Sequence, residues 1–496
     1  MMLVVNGKNG VEIIGVFKGQ KQLQREGFEA ELYKYLLDKE VFDASLGQSY
    51  VHLFPEKESV IFLGLGDEKD LSMDHLRKAF YSLGKKLEEY KVPQVKIRTP
   101  ISQNLSFEEQ ISAIGEGILQ SDYRFDKYLK NKKGATHLKE FNFLVEPSKE
   151  TLAEKVISES IDQIEGVFFA RDLVNEPASS MTPTELSIRA KEKLEKAGIE
   201  VEVLGKDQIK KLEMEAFLSV SEGSSEEPKL LIMKWKGDLS SEKNRAFVGK
   251  GLTYDSGGYC IKSAEAMSTM KSDMAGAASV IGAMYSIAKS KIRCNVVAVV
   301  AACENMISGK AYKAGDIVHS MSGKTIEIVN TDAEGRLTLA DALWYTKTVW
   351  NPVEIIDLAT LTYSTIAALG NLNSAAVSNN APLVQKIKKA AQLAGEPIWE
   401  LPNDEGYKEI NKSDMADLRN DDRGNAGAIA AGLFLGEFVG SIPWVHLDIA
   451  GTAYADVARG YLPKGATGIH VKTLYRLAKV SERGDETPSE TEEDDS

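Results

Sequence analysis

Two rhythms of apolar residues alternate along the chain. Short apolar runs bounded by Gly, Pro or Asn read as strands, and stretches with apolar residues three and four positions apart read as amphipathic helices. Over residues 1–150 the runs at 11–17, 59–66, 95–98 and 141–145 predict strands, and the patterns at 74–92 and 107–120 predict helices. Leu76, Phe80, Leu83, Leu87 and Tyr90 share one face of the first helix. These elements make a small N-terminal α/β domain without a cluster of potential catalytic groups. Its Gly64-Leu65-Gly66 lacks the third glycine of a dinucleotide fingerprint and reads as structural.

Residues 151–175 carry a long helical pattern, with Val156, Ile157, Ile161, Ile164, Val167 and Phe168 on its apolar positions, and are expected to link two domains. Thr182 as N-cap, Pro183 at the first position and Glu185 as capping-box acid then start a helix that stops near Gly198. Further on β and α alternate. Strands are predicted at 199–204, 230–235, 246–252, 295–302, 354–359 and 444–449, with helices at 273–290, 334–349 and 427–439. The strands are near-continuous apolar runs, which predicts a sheet covered on both faces and a larger α/β domain over 176–480. Ligands of such folds lie beyond the carboxyl ends of the strands.

Composition narrows the classes. A chain of 496 residues exceeds one ordinary core, and 43% apolar with 27% charged residues is globular usage. The longest apolar run, about 296–303, falls far short of a membrane span, and the first residues turn polar at once. A cytoplasmic protein without a membrane partner is expected. Cys260, Cys294 and Cys303 form no disulfide framework, and the six histidines contain no HExxH, so a histidine-based zinc site is not expected. Of the net charge of −13, the stretch 481–496 supplies −7 through eight acids and one Arg; it is expected to be disordered. The remainder is still acidic, which argues against nucleic acid as a main partner.

One stretch concentrates chemistry. Residues 246–279 set Lys250, Asp255, Lys262 and Asp273 around Gly257 and Gly258, and NTDAEGRL (330–337) adds Asp332, Glu334 and Arg336. Each acid alone has an ordinary explanation: Asp273, Asp332 and Glu334 fall where helices are predicted to begin, and Thr331–Glu334 fits a capping box. That explanation leaves Lys250 unaccounted for on an otherwise apolar strand. Four carboxylates and three cations sharing a pocket call for a neutralising group, and a pair of divalent ions with oxygen ligands provides one.

The stretches VGKGLTYDSGG, MKSDMAGAA, ENMISGKAYKAGD and SMSGKTIEIVNTDAEGRL, with RDLVNEP, DLATLT, HLDIAGTA and LPKGATG, resemble the signature regions of the leucine aminopeptidase (cytosol aminopeptidase) family over about residues 170–470. The N-terminal part resembles it in outline and in YRFDKY at 123–128. The resemblance implies a mixed central sheet with helices on both faces, a homohexamer with catalytic domains inward, and a dinuclear metallo-aminopeptidase acting on peptides with a free N-terminus. It implies Lys250, Asp255, Asp273 and Glu334 as ligands of a tighter ion and Asp255, Asp332 and Glu334 as ligands of an exchangeable one, manganese or zinc being expected. Lys262 would polarise the scissile carbonyl, and Arg336 would hold bicarbonate as general base toward a metal-bridged water. The substrate's free amine would bind a metal, and Met270, Thr360 and Ala450 would line the pocket for the first side chain.

Departures from the family pattern touch selectivity. Tyr363 stands in LTYS where the family usually has Gly, beside that pocket, and a phenol there is expected to narrow it. Cys260, Ser263 and Ala275 replace a usual Ser, Pro and Gly, and none of these changes removes a ligand. The competing expectations are a member of this fold with an additional regulatory or DNA-binding role, a family member with a dead site, and an aspartic protease. The acidic balance argues against the first, and the intact seven residues against the second. The absence of a second D-[ST]-G removes the third.

Overall fold

The computed structural model describes residues 1–480 apart from 55–57, 133, 135 and 423, so the acidic stretch 481–496 lies outside the described residues. The chain divides into two units, Met1–Phe168 with Ala455–Gly465, and Phe169–Tyr454 with the residues from Ala466. The long helix is Glu150–Asn175, and the division falls inside it. The sequence reading gives 455–465 to the larger domain, whereas this segment clusters with the first unit. There the hydroxyl of buried Tyr461 donates to Asp74 Oδ1 at 2.8 Å.

The first unit is a six-stranded sheet of β1 (Met2–Val5), β2 (Val11–Val16), β3 (Ser49–His52), β4 (Val60–Gly64), β5 (Gln94–Arg98) and β6 (Glu140–Leu144), ordered β1-β6-β5-β2-β4-β3. All neighbours are parallel except β3 against β4. The four predicted strands are the inner ones. The edge strands β1 and β3 have no fully buried residue; β1 is a short apolar run, MLVV, and β3, SYVH, is not one. Helices Met73–Glu89 and Phe107–Gln120 begin at Ser72 and Ser106, whose side chains cap the backbone. Between them Arg77 Nε and Glu116 Oε2 pair at 2.7 Å with both side chains fully buried.

The second unit contributes β7 (Glu200–Leu204), β8 (Lys229–Lys236), β9 (Arg245–Asp255), β10 (Asn295–Asn305), the short β11 (Ile317–His319) and β12 (Thr325–Glu327), β13 (Glu354–Ala359), β14 (Ser374–Ser378), β15 (Ile398–Glu400), β16 (Leu418–Arg419) and β17 (Trp444–Asp448). Eight of them form a sheet ordered β15-β14-β17-β13-β9-β10-β8-β7. The four central strands β17, β13, β9 and β10 are mutually parallel. β8 and β14 join them antiparallel, so the sheet is mixed. Successive strand residues face opposite ways, and β9 uses both faces. A Cβ on Gly249 would lie 2.7 Å from Ala277 of helix Ala275–Lys289, so only glycine permits that close approach. Lys250, on the other face, abuts Gly335 of helix Gly335–Tyr345. Ala246, Val248, Leu339, Leu343, Phe434 and Trp444 share the core on that second side. Among the described residues no helix is long and apolar enough to cross a membrane.

Candidate active site

The parallel register brings four carboxyl ends to one edge of the sheet. Asp255 closes β9, Asn305 closes β10 in register with it, Thr360 follows β13, and Asp448 closes β17. After Asp255 the chain turns through Gly257 and Gly258 with φ of 85° and 63°, a left-handed path that favours glycine. The turn donates Gly257 N–H to Asp255 Oδ1 at 2.8 Å, and Asn305 Nδ2–H reaches the same oxygen at 2.8 Å. Asp255 Oδ2 is left facing Lys262 Nζ at 2.9 Å, and Lys262 also meets Asp332 Oδ1 at 2.5 Å.

Lys250 binds the second half of the cluster. Its ammonium lies 2.8 Å from each oxygen of Asp273, 2.8 Å from Glu334 Oε1 and 2.9 Å from the carbonyl of Thr360. The Thr360 hydroxyl donates to Asp273 Oδ1 at 2.7 Å. Asp255, Asp273 and Glu334 are all buried, and each offers an oxygen within 4.8 Å of the others, an arrangement able to hold a metal ion. Glu334 Oε2 is buried with no hydrogen-bond partner among the described residues. Oxygen donors, deep burial and an unspent carboxylate oxygen fit a hard divalent cation.

Helix capping does not account for these acids. The expected capping box at Thr331–Glu334 is absent: Glu334 occupies the N-cap position of Gly335–Tyr345 without a side-chain cap. Thr331 spends its hydroxyl on tertiary partners, donating to the carbonyl of Gly257 at 2.7 Å and accepting from Cys260 N at 2.8 Å. Asp273 does not open a helix either. It sits between the one-turn helix Met270–Ser272 and the helix starting at Ala275, with Met274 as its N-cap.

Crowding of like charge shows in the protonation equilibria. Burial raises the pKa of Asp273, Glu334 and Asp255 push it further, and Lys250 only partly opposes them. Asp332 is raised for the same reasons, burial first and then Asp255 and Glu334. Burial pulls the Lys250 and Lys262 pKa values down, but the surrounding carboxylates outweigh it and hold both lysines as cations. A bound dication would reverse this balance by favouring ionised ligands.

Arg336 lies one residue into the helix from Lys250's neighbour Gly335. Its Nη2 meets Asp422 Oδ2 at 3.2 Å, and its Nη1 is buried with no hydrogen-bond partner among the described residues. A guanidinium half-spent in this way has one donor edge ready for an anion.

Residues 168–475 match the catalytic domain of the cytosol aminopeptidase family, and residues 13–132 match its N-terminal domain. The chain belongs to the cytosol aminopeptidase family. A probable cytosol aminopeptidase of Clostridium tetani is 54% identical over 95% of this chain and 98% of its own length. One of Treponema denticola is 46% identical over 91% and 95%. Among solved structures, the bottromycin maturation enzyme BotP in complex with Mn superposes with a TM-score of 0.84 at 28% identity, covering 95% of this chain and 99% of that one. As a member of this family the chain is a metal-dependent peptide-bond hydrolase acting on peptides, with divalent metal binding and the family's two-domain architecture.

The pocket candidates are more dispersed than the charged cluster. Thr360 touches Asp273 directly. Met270 is half-buried at the start of the turn before Asp273. Ala450 follows β17 with its N–H on Asp448 Oδ1 at 3.1 Å. Tyr363, at the start of helix Tyr363–Leu369, is 62% exposed. Sequence reasoning missed Asn305, Asp422 and Asp448. Asn305 and Asp448 had a usable signal, a polar residue ending an apolar strand, the same signal that marks Asp255.

Proposed function

We propose that the enzyme removes N-terminal residues with two divalent ions, the tighter held by Lys250, Asp255, Asp273 and Glu334 and the exchangeable one by Asp255, Asp332 and Glu334. The observation that carries this is the buried trio Asp255, Asp273 and Glu334 with Glu334 Oε2 unspent. The side chain of Asp332 is 26% exposed against 2–5% for the other three carboxylates, which supports giving it the more open, exchangeable position. Manganese suits such an oxygen-rich set, and BotP was solved with manganese. Lysine ligates only as the free amine, so Lys250 would give up its proton on metal loading. When bound, the ions would supply Lewis-acid polarisation and a water ionised near neutral pH.

The chain's own residues do the rest. Lys262, held between Asp255 and Asp332, would donate to the scissile carbonyl oxygen and to the oxyanion that develops there. Arg336, oriented by Asp422, would hold bicarbonate through its free edge, an anion that would supply general-base chemistry there. Met270, Thr360 and Ala450 would wall the pocket for the first side chain, with Tyr363 narrowing it. Catalysis is assigned to the second unit. A homohexamer rests on family resemblance, and a cytoplasmic location on the names of the relatives.

The test is hydrolysis of leucine p-nitroanilide beside its N-acetylated counterpart, after chelation and after manganese or zinc is returned. Metal-restored cleavage of the free-amine substrate alone is expected. Equal cleavage of the acetylated compound, or activity that survives chelation, would sink the reading.

A further inference from the structure

We infer that Asp448 is the positioning residue of the first-residue pocket, its carboxylate tying the loop after β13 to the loop after β17. The inference rests on the reading above, in which Thr360 and Ala450 are pocket walls. Asp448 is 2% exposed, and among the described residues no cation pairs with it. Four donors stand in for one. The N–H groups of Leu361 and Ala450 both reach Oδ1 at 3.1 Å, and the hydroxyls of Thr362 and Thr365 both reach Oδ2 at 2.7 Å. A carboxylate has about four acceptor sites, so this one is saturated. It keeps no lone pair for a metal or a substrate proton, and its contribution is geometric.

The bonds run where geometry matters to specificity. Thr360 is pulled toward the charged cluster, its carbonyl accepting from Lys250 at 2.9 Å and its hydroxyl donating to Asp273 at 2.7 Å. The next two residues, Leu361 and Thr362, are pulled toward Asp448. Thr362 completes the lock: its oxygen accepts Thr365 N–H at 3.2 Å, capping the helix that starts at Tyr363, while its proton goes to Asp448. In the loop after the neighbouring strand β17, Ala450 hangs from the same Oδ1 as Leu361, so a single atom sets the spacing between the two loops. An ionised carboxylate buried without a counter-ion is costly. The four dipoles offset that cost only while both loops hold this one arrangement, so the walls are fixed relative to the cluster by an electrostatic requirement.

The experiment compares Asp448→Ala and Asp448→Asn with the wild type as full-length, manganese-loaded enzyme. The readouts are kcat/KM on the p-nitroanilides of glycine, alanine, leucine and phenylalanine, and manganese affinity. Ratios between substrates do not depend on the fraction of folded enzyme, so they separate positioning from partial unfolding. The spread among substrates is expected to shrink about tenfold in Asp448→Ala, in keeping with the cost of small misplacements in a site. Asp448→Asn, which keeps one acceptor oxygen for the two amides, should show a smaller shrinkage, and manganese affinity should hold within about twofold in both. A spread equal to wild type in both variants, or in Asp448→Asn alone where the alanine variant does not fold, overturns the inference. So does loss of manganese binding in Asp448→Asn, which would make Asp448 a support of the charged cluster. Wild-type enzyme inactive on all four amides would sink the peptidase reading and this inference with it, whereas wild-type activity with an unmoved spread sinks only the role of Asp448.

Discussion

The chain buries charge in two places and on two different principles. Between helices Met73–Glu89 and Phe107–Gln120, one guanidinium meets one carboxylate, and the Ser112 hydroxyl donates to Glu116 Oε1 at 2.9 Å. At the strand ends of the second unit, the cations paired with the carboxylates of Asp255, Asp273, Asp332 and Glu334 among the described residues are Lys250 and Lys262. Both clusters carry the desolvation cost of buried ions. The first offsets it within the chain. The second does not, and the remainder appears as raised carboxylate pKa values and an unspent Glu334 oxygen. Burial alone therefore does not mark a functional site. An unbalanced sum of buried charge does, because a ligand of opposite charge can settle it.

The comparison breaks most sharply at Asp255. Asp255→Ala removes the carboxylate assigned to both ions, and turnover should fall by about a thousandfold or more, the scale expected when a metal's contribution to the transition state is lost. Manganese binding by calorimetric titration should vanish with it, while the chelated variant should melt close to the chelated wild type. Full turnover in this variant would remove the metal assignment. Arg77→Met is the opposite case. It strands Glu116 without its cation at a fully buried position and should cost about 3–5 kcal/mol of stability, measured by urea unfolding. The kcat/KM of the folded fraction should not change. Pairing it with Glu116→Leu should recover most of the loss, because an apolar pair can replace a balanced ion pair. If the double variant is no more stable than the single one, the pair is doing more than cancelling charge.

The sequence was most legible where chemistry is local. Asp255 before its glycine turn, Lys250 on an apolar strand and the closely spaced acids of 330–337 announce themselves, and the inner strands of both sheets follow from their apolar runs except β14, whose SAAVS was not read as a strand. Local rules failed where a tertiary partner competed. Thr331 and Glu334 have the spacing of a capping box, yet the Thr331 hydroxyl binds Gly257 and Cys260 across the site. Asp273 is likewise carried on a turn between two helices rather than at a helix start. The supporting polar groups were the least legible. Asn305 holds Asp255 across 50 positions, Asp422 holds Arg336 across 86, and Asp448 holds Leu361 across 87. No periodicity encodes which distant donor will satisfy a buried acceptor. β3 escaped for a simpler reason, since its edge sequence SYVH carries little apolar signal, whereas β1 was passed over although its MLVV is an apolar run.

The smallest effect is expected outside both clusters, and it marks where the unbalanced one ends. Tyr363 is an uncharged side chain at 62% exposure, one residue beyond Thr362 and its bond to Asp448. Its ring can shape the space a first side chain enters, but it holds no charge and no ligand. Tyr363→Gly should therefore change kcat/KM for bulky first residues by about tenfold relative to alanine, the range that a few methylene-sized contacts supply. Manganese affinity and the melting temperature should stay near wild type, apart from the modest cost of glycine in the first turn of a short helix. An unchanged substrate profile would place Tyr363 outside the pocket and assign selectivity to Met270, Thr360 and Ala450. A loss of metal binding would mean that helix Tyr363–Leu369 supports the charged cluster itself, so that the cluster and its rim form one unit.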